Sequence, residues 1–565
     1  RGTKGSNNVE YNGYYGLGKV ARQVDVLTGP QWAKYFDDLY NNTPGIQSAL
    51  TSTKLIIDSL GAAGVNNNWI DAALRTSQVQ SHEISIYGGD DKSKYAVSGN
   101  YFRQKGGVLN TDFTRYSARV NYDRNVSDKF KITTSLYGSN SVENKLAGSA
   151  YSSINSSNSY ASLYQVNPLQ IIKNDDDTYN TTYQPATSNT YNTINGQLYS
   201  DNPILDIVST TNRSTITRVL GNFSAEYKIL KELTFKSSFG ADILNTKLDY
   251  YAPSYTSAGN ATGTTTGYGS VGTITYLSWL NENTLTYSHA INNRHFIDVL
   301  AGYTTQYQHA ENVFSAAASF PSDYTTYQNL YSGSAYQVTG SGESQTVFNS
   351  WLGRINYSYK HLYNITLSGR ADGASAAGAN HKWGFFPAVG LSWNTSQESF
   401  FEKYRDVVSN LKFRFSAGSI GNANFPAFSS LATIHTSGYY FGNPITTVNG
   451  ITQTQLGNPD LTWETTTQYD LGLDAGFAQS RINLTADAYY KKTTNLFVNT
   501  SGLIPLSTGY ASAAENIGSI ENKGLELTLT TTNIKTKDFG WKTTIIYATN
   551  INKILSLGPS SSFQP

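Results

Sequence analysis

Apolar and polar residues alternate along this chain in runs of about ten. Tyr116, Ala118, Val120 and Tyr122 share one parity, while Ser117, Arg119, Asn121 and Asp123 share the other. Tyr469, Leu471 and Leu473 oppose Gln468, Asp470, Gly472 and Asp474 in the same way. A period of two marks an extended strand with one apolar face. The pattern recurs in RVLGNFSAEYK, LTFKSSFGADI, HFIDVLAGYT, LGRINYSY, LYNITLSGRAD, LKFRFSAG, RINLTADAYYK and GLELTLTTT, and about seventeen such segments can be counted. Ten residues rising ~3.3 Å each and tilted by ~40° cover roughly 25 Å, the height of an outer-membrane apolar band. The polar parity carries Arg119, Asp123, Glu226, Lys228, Arg370, Asp372 and Asp487. A closed sandwich could not bury such charges, whereas a wide water-filled lumen solvates them.

The links between these segments alternate as well. After even-numbered segments they are short: GGDDKS, VSDK, Leu230–Glu232, INNR, Lys360–His361, Ala478–Ser480 and KTKDF. After odd-numbered ones they run long, at about 19–81, 141–217, 307–346, 419–465 and 492–522. One even link, SQESFFEKYRDVVSN, is longer and predicts a helical turn. Short turns on one rim and long loops on the other define an all-β, large antiparallel transmembrane β-barrel with short periplasmic turns and long extracellular loops. Within the first long link, GPQWAKYFDDLYNN predicts a helix with Pro30 in its first turn and Trp32, Tyr35, Phe36 and Leu39 on one face. No second domain is evident.

Composition fits this picture. Charged residues make up only 14% of the 565, while 42 Tyr, 24 Phe and 8 Trp supply rings for interfacial girdles. The net charge of +1 gives no electrostatic case for a nucleic-acid partner. Absence of Cys removes disulfides, thiolate metal sites and cysteine nucleophiles. The seven His are scattered without metal-binding spacing, and neither a nucleophile elbow nor a phosphate-binding glycine loop occurs, so no enzyme is expected. No cofactor is expected either. Asp175, Asp176 and Asp177 could contribute to a calcium site, but the run lacks the Gly and Glu of an EF-hand loop and reads better as a solvated loop tip. Aromatics in the long links have no lipid to face: Tyr151, Tyr160, Tyr164, Trp383, Tyr439, Tyr440 and Phe441. Flat rings among amides and carboxylates suit an oligosaccharide, because rings cover C–H faces while the polar groups bond hydroxyls. Loop aromatics also pack loops together.

Several phrases resemble one known family. Asn458-Pro459-Asp460-Leu461 with Trp463-Glu464-Thr465 resembles a recurrent phrase of the SusC/RagA-like TonB-dependent outer-membrane transporters of Bacteroidetes. Asn516-Ile517-Gly518 through Asn522-Lys523-Gly524-Leu525-Glu526 looks like the next signature. So do Lys382-Trp383-Gly384 with Phe386-Pro387, and Leu411-Lys412-Phe413-Arg414 with Gly421-Asn422. Upstream, Tyr11 to Gly16, Ser81-His82 through Gly88-Gly89 and Arg115-Tyr116-Ser117 follow in family order. The stretch Arg370 to Ala376 departs from the pattern, since the family usually adds a second basic residue and an aromatic there.

The resemblance implies a barrel of about 22 strands preceded by a plug and a TonB box. Residues 1–5 would then be the tail of the plug and 6–565 the barrel, incomplete at its C-terminus. It also implies active import of oligosaccharides across the bacterial outer membrane, with a SusD-like lipoprotein as lid and TonB pulling on the plug. Tyr160, Tyr164, Tyr439, Tyr440 and Phe441 are the candidates for substrate contact, and Arg119, Asp123, Glu226, Asp372 and Asp487 for lumen solvation. Peptides are the alternative cargo. From other classes, a passive porin or structural barrel and an outer-membrane enzyme are the remaining readings.

Overall fold

The computed structural model describes residues 7–43, 45, 47–146, 159–180, 193–194, 197–198, 202–259, 266–442, 444, 446–499, 504, 506–510 and 512–557. The first strands are β1 (Asn7–Gly18), β2 (Ser77–Gly89), β3 (Ser93–Lys105), β4 (Asp112–Asn125) and β5 (Phe130–Asn144). A two-residue hairpin, β6 (Thr193–Ile194) with β7 (Gln197–Leu198), stands apart from the main sheet. The main sheet continues with β8 (Thr211–Lys228), β9 (Leu233–Ala252), β10 (Tyr268–Ile291), β11 (His295–Ala318) and β12 (Ala335–Tyr359). Then come β13 (Tyr363–Ala374), β14 (Trp383–Trp393), β15 (Val408–Asn422) and the loop hairpin β16 (Thr433–Phe441) and β17 (Thr446–Leu456). The last four are β18 (Glu464–Phe477), β19 (Ile482–Asn499), β20 (Ser512–Lys535) and β21 (Gly540–Ser556).

The main sheet has nineteen strands, and setting aside the β16–β17 hairpin leaves the seventeen expected from alternation. Each wall strand pairs antiparallel with its neighbours in chain order, β15 passing to β18 across the hairpin. Such pairing satisfies backbone amides sideways between neighbouring strands, the condition for crossing lipid without a helix. Among the described residues β1 and β21 are each paired on one side only.

The link parity holds along the wall except at 394–407. Residues 90–92, 292–294 and 360–362 turn on one rim, whereas the described residues between β1 and β2, between β5 and β8 and between β15 and β18 lie on the other. Tight turns place Asn292, Asn293, Lys360 and His361 at positive φ, which matches the right-handed twist of the flanking strands. The link 394–407 contains two 3-10 turns, Thr395–Gln397 and Ser399–Tyr404. One expectation needs correcting. The long links are shorter than alternation alone indicated, because strands such as β11 and β12 continue to Ala318 and from Ala335. Above the lipid the ladder persists while both faces become wet, so pairing outlasts the apolar pattern.

The register sorts the side chains. Phe413, Phe415 and Ala417 of β15 lie beside Leu473, Leu471 and Tyr469 of β18 on the outward face, where Leu471 is 61% exposed on the isolated chain. Rings bound this face at two levels. Near the short turns Tyr363, Trp393 and Phe413 stack in sequence, at 6.3 and 6.0 Å between centroids. Toward the long loops Phe239, Trp279 and Tyr307 stack at 6.2 and 5.9 Å. Trp383 belongs to this outer level. It opens β14, covers Gly373 with its ring and shares the lipid-facing parity with Phe385, so it is not a free loop aromatic.

The helices sit in the long links. The first, α1 (Gly29–Asn42), carries Pro30 in its first turn, as expected, but buries Ala33 and Phe36 and leaves Tyr35 exposed. Its partner α2 (Gln47–Ala62) was not foreseen; Lys54 of α2 ties it to α1 through Asp37 and pairs within its own helix with Asp58, both at 2.6 Å. Those paired carboxylates hold the Lys54 ammonium firmly charged. Among the described residues three short helices follow, α3 (Trp69–Ala73), α4 (Ser159–Ser162) and α5 (Pro203–Ser209).

The two faces of β18 give a direct prediction. Leu471→Arg places a cation on the lipid side and should cost about 2–4 kcal/mol at the midplane, whereas Asp470→Asn on the other face should cost under about 1 kcal/mol. Urea unfolding of the full-length barrel in lipid vesicles measures both.

Candidate functional site

The inward face is a wall of hydrogen-bonded polar groups, and all five residues expected there share its parity. The Arg119 guanidinium lies 5.4 Å from the Tyr137 ring centroid. Asp123 stands in register with Lys94 and Thr133. Glu226 stands between Lys131 and Lys236 on the adjoining strands. Asp372 accepts from Arg370, which also donates to Ser350 at 2.9 Å. Asp487 meets Arg414 at 2.8 Å, and the same guanidinium donates to Asp474 at 3.0 Å. The structure therefore brings the five onto one face without gathering them into one cluster.

Two cations central to this wall, Arg218 and Arg414, were not among the lumen candidates, although Arg414 closes one of the family phrases. Arg218 grips Asp242 with two bonds, at 2.9 and 2.6 Å. Arg414 spans β15, β18 and β19, passing over Gly472; a Cβ there would sit 2.5 Å from the Arg414 Cζ. Gly472 thus keeps open the path by which one guanidinium serves two carboxylates.

The outer rim explains the longest family phrase. Leu461 and Trp463 are buried with Ala374, Ala377, Ala423, Phe425 and Ala514. Asn458 donates to the Ala514 carbonyl at 2.8 Å, and Asn516 returns the tie by accepting from Thr462 N at 2.8 Å and donating to Thr462 O at 2.9 Å. Glu464 accepts from Phe497 N and from Asn422, at 2.8 and 2.6 Å. The Trp463 indole donates to the Lys382 carbonyl. The phrase is a knot joining the outer ends of β14, β15, β18, β19 and β20, and its conspicuous residues hold the rim.

Among the loop aromatics, Tyr160 and Tyr164 pack together edge to face, with centroids 5.8 Å apart. Both lie against a core of Trp69, Ile70, Leu163, Ile204 and Ile207. Tyr439, Tyr440 and Phe441 end strand β16 and are 62%, 72% and 62% exposed, far in the chain from the first pair. Tyr151 lies outside the described residues. The Asp175–Asp177 run forms a tight turn: Asp176 accepts from Thr178 N at 3.0 Å, and Asp177 pairs with Lys173 at 2.8 Å. Among the described residues no three acidic or imidazole groups converge to hold a metal ion.

Sequence reading missed the cleft beside Tyr164. It holds about 650 Å³ and is lined by Trp32, Trp69 and Tyr164 with Gln31, Asn67, Gln165 and Asp25. Helix spacing pointed to Trp32, but the pairing of 24–32 with 163–168 is a long-range contact with no local signal.

The loops above β8 to β12 are also tied. Asp206 of α5 accepts from Ser257 through both N–H and hydroxyl. Asp323 accepts from Ser254 N at 2.9 Å, Ser254 Oγ at 2.7 Å and the Tyr251 hydroxyl at 2.8 Å. Two carboxylates thus hold one turn, 253–257. Burial of Asp206 raises its pKa above the ordinary carboxylate value of 3.8, outweighing the two serine bonds that favour the ionised form.

The comparisons agree with the geometry. This is a β-barrel wall of the outer membrane, apolar without and polar within. Residues 164–557 match the family described as TonB dependent receptor-like, beta-barrel, and the chain belongs to that family. TonB-dependent receptor P3 of Formosa agariphila is 30% identical over 564 residues, which is 99% of this chain and 52% of that protein. TonB-dependent receptor SusC of Bacteroides thetaiotaomicron is 28% identical over 580 residues, covering 98% and 54%. The chain spans about half the length of these curated relatives. A solved chain titled "Structure of the RagAB peptide transporter" shares the fold with a TM-score of 0.80 at 21% identity, over 99% of this chain and 62% of its own.

Two predictions follow from these ties. Gly472→Ala should displace Arg414 from Asp487 and cost about 1–2 kcal/mol, lowering the urea midpoint. Gly99→Ala, where an added Cβ meets nothing within 4 Å, should leave it unchanged. The second concerns pH. Because folding raises the Asp206 pKa, its contribution to the clamp is complete below 3.8 and is lost as pH rises through the folded value. Hydrogen exchange at 203–209, corrected for intrinsic rate, should therefore show greater protection in acid, and Asp206→Asn should flatten that dependence.

Proposed function

We infer that this chain supplies the wall and outer loops of an active importer of oligosaccharides across the outer membrane. The observation that carries this reading is the outer-loop cleft. Trp32 and Tyr164 offer flat faces to sugar C–H groups, and Gln31, Asn67, Gln165 and Asp25 offer partners to hydroxyls. The exposed rings of Tyr439, Tyr440 and Phe441 add a second surface of the same chemistry. Similarity to SusC supports the assignment.

In this reading the loops and a SusD-like lipoprotein lid capture the substrate, and TonB draws on a plug to open the passage. Polar groups of the inward wall, Arg119, Asp123, Glu226, Asp372 and Asp487 among them, keep that passage hydrated. No bond of the substrate changes. The domain division we favour assigns 1–5 to the tail of the plug and 6–565 to the barrel. Further strands would cover the single-sided edges of β1 and β21, since lipid cannot satisfy them.

A peptide cargo is the second reading, favoured by the fold shared with a chain titled as a peptide transporter. Calorimetry on the full-length protein with defined oligosaccharides and oligopeptides, joined to growth of a deletion strain on each, separates the two. Trp32→Ala and Gln165→Ala should each weaken oligosaccharide binding about five- to tenfold and slow growth on the glycan. Unchanged binding, with growth lost only on peptides, would favour peptide cargo. Uptake that persists without TonB would mean a passive pore.

A further inference from the structure

The outward wall over β2 to β8 is not uniform. Following the register from strand to strand, Ile86, Val97, Val120 and Leu136 form one row of branched side chains. The next row toward the long loops is Ile84, Gly99, Ala118, Gly138 and Val219. Beyond it lie His82, Tyr101, Tyr116, Asn140 and Thr217. Three small residues in the middle row leave a depression of about 760 Å³ between branched chains and rings. A Cβ added at Gly99 or Gly138 would meet nothing within 4 Å. No close packing in the wall therefore requires glycine at these positions, and glycine weakens a strand.

The upper edge of the depression is ordered. Tyr11, His82, Tyr101 and Tyr116 follow one another across four strands, with centroids 6.2, 6.3 and 5.2 Å apart. Tyr11 and His82 share a hydrogen bond of 2.7 Å, and Asn140 donates to Thr217 at 2.9 Å. One row nearer the long loops Arg103 stands in register with Gln80 and Thr114. Its Nε is shielded from solvent and has no hydrogen-bond partner among the described residues. Lys105 follows, opposite Asp112, whose carboxylate already accepts from Asn144 at 2.7 Å.

We propose that this depression seats the acyl chains of a phosphorylated glycolipid of the outer leaflet, with Arg103 taking its phosphate. The outward face crosses the apolar slab, so lipid covers it. Four strand spacings make the row about 19 Å wide, more than one acyl chain fills, which favours a headgroup bearing several chains. Arg103 lies at the loop-side edge, where that headgroup would sit, and an arginine fork matches a phosphate. This inference rests on the outward face meeting lipid and is independent of the cargo.

Full-length protein in nanodiscs, analysed by native mass spectrometry, tests it. The lipid arms are a bisphosphorylated lipid A, its dephosphorylated form and phosphatidylglycerol. Wild type should retain the phosphorylated glycolipid about tenfold over either competitor. Gly99→Leu combined with Gly138→Leu fills the depression from two positions where an added Cβ meets nothing within 4 Å, and should abolish that retention while the folded band on unheated gels persists. Arg103→Gln should remove the preference for phosphate and leave retention of the dephosphorylated form unchanged. Equal retention by wild type and the filled variant overturns the proposal. So does a wild-type preference for phosphatidylglycerol, or a filled variant that changes oligomeric state in place of lipid content.

Discussion

A strand inside lipid has no water for its backbone, so every amide must be paired with a neighbouring strand. That requirement accounts for the unbroken antiparallel order of the wall, from β1 and β2 through to β20 and β21. It also accounts for the short turns, since a two- or three-residue link is enough to reverse a strand that pairs with the next one. Once the ladder is in place, the period of two assigns each residue to lipid or to water. The remaining chemistry is built on that division.

On the wet side the division produces charge pairs that brace neighbouring strands. Arg414 with Asp474 and Asp487, and Arg218 with Asp242, add side-chain ties to strands already joined through their backbone ladders. These pairs lie in contact with water, and their value is chiefly to align side chains along a hydrated passage. On the dry side the same alternation yields stacked rings at two levels. At the outer rim, where neither rule applies, the chain relies on the knot around Leu461 and Trp463 and on the carboxylate clamps at 253–257.

Much of the wall was legible in the sequence because its signal is local. Tyr469, Leu471 and Leu473 declare their face through nearest neighbours, and Arg119, Asp123, Glu226, Asp372 and Asp487 follow by parity alone. The loops were far less legible. Helix α1 was anticipated, yet its buried face is Ala33 and Phe36 rather than the full Trp32–Tyr35–Phe36–Leu39 stripe, because α2 approaches from one side. Tyr160 and Tyr164 had the composition of a binding surface, and the structure packs both against a loop core with Tyr164 also reaching a cleft. Nothing in their neighbours along the chain reveals Trp32 or Asn67 across that cleft. The phrase Asn458 to Glu464 identified the family more readily than its own role, which is to fasten the rim.

The central claim is that β18 presents Tyr469, Leu471 and Leu473 to lipid and Gln468, Asp470, Gly472 and Asp474 to a hydrated lumen. This chain contains no cysteine, so single cysteines at 468–474, placed in the full-length protein with any cysteine elsewhere replaced by serine, give a direct test in the outer membrane. A small charged thiol reagent should label the even positions readily and the odd ones poorly, while a lipid-borne quencher should reach only probes at the odd positions. Uniform labelling along the segment, or the opposite parity, would contradict the account.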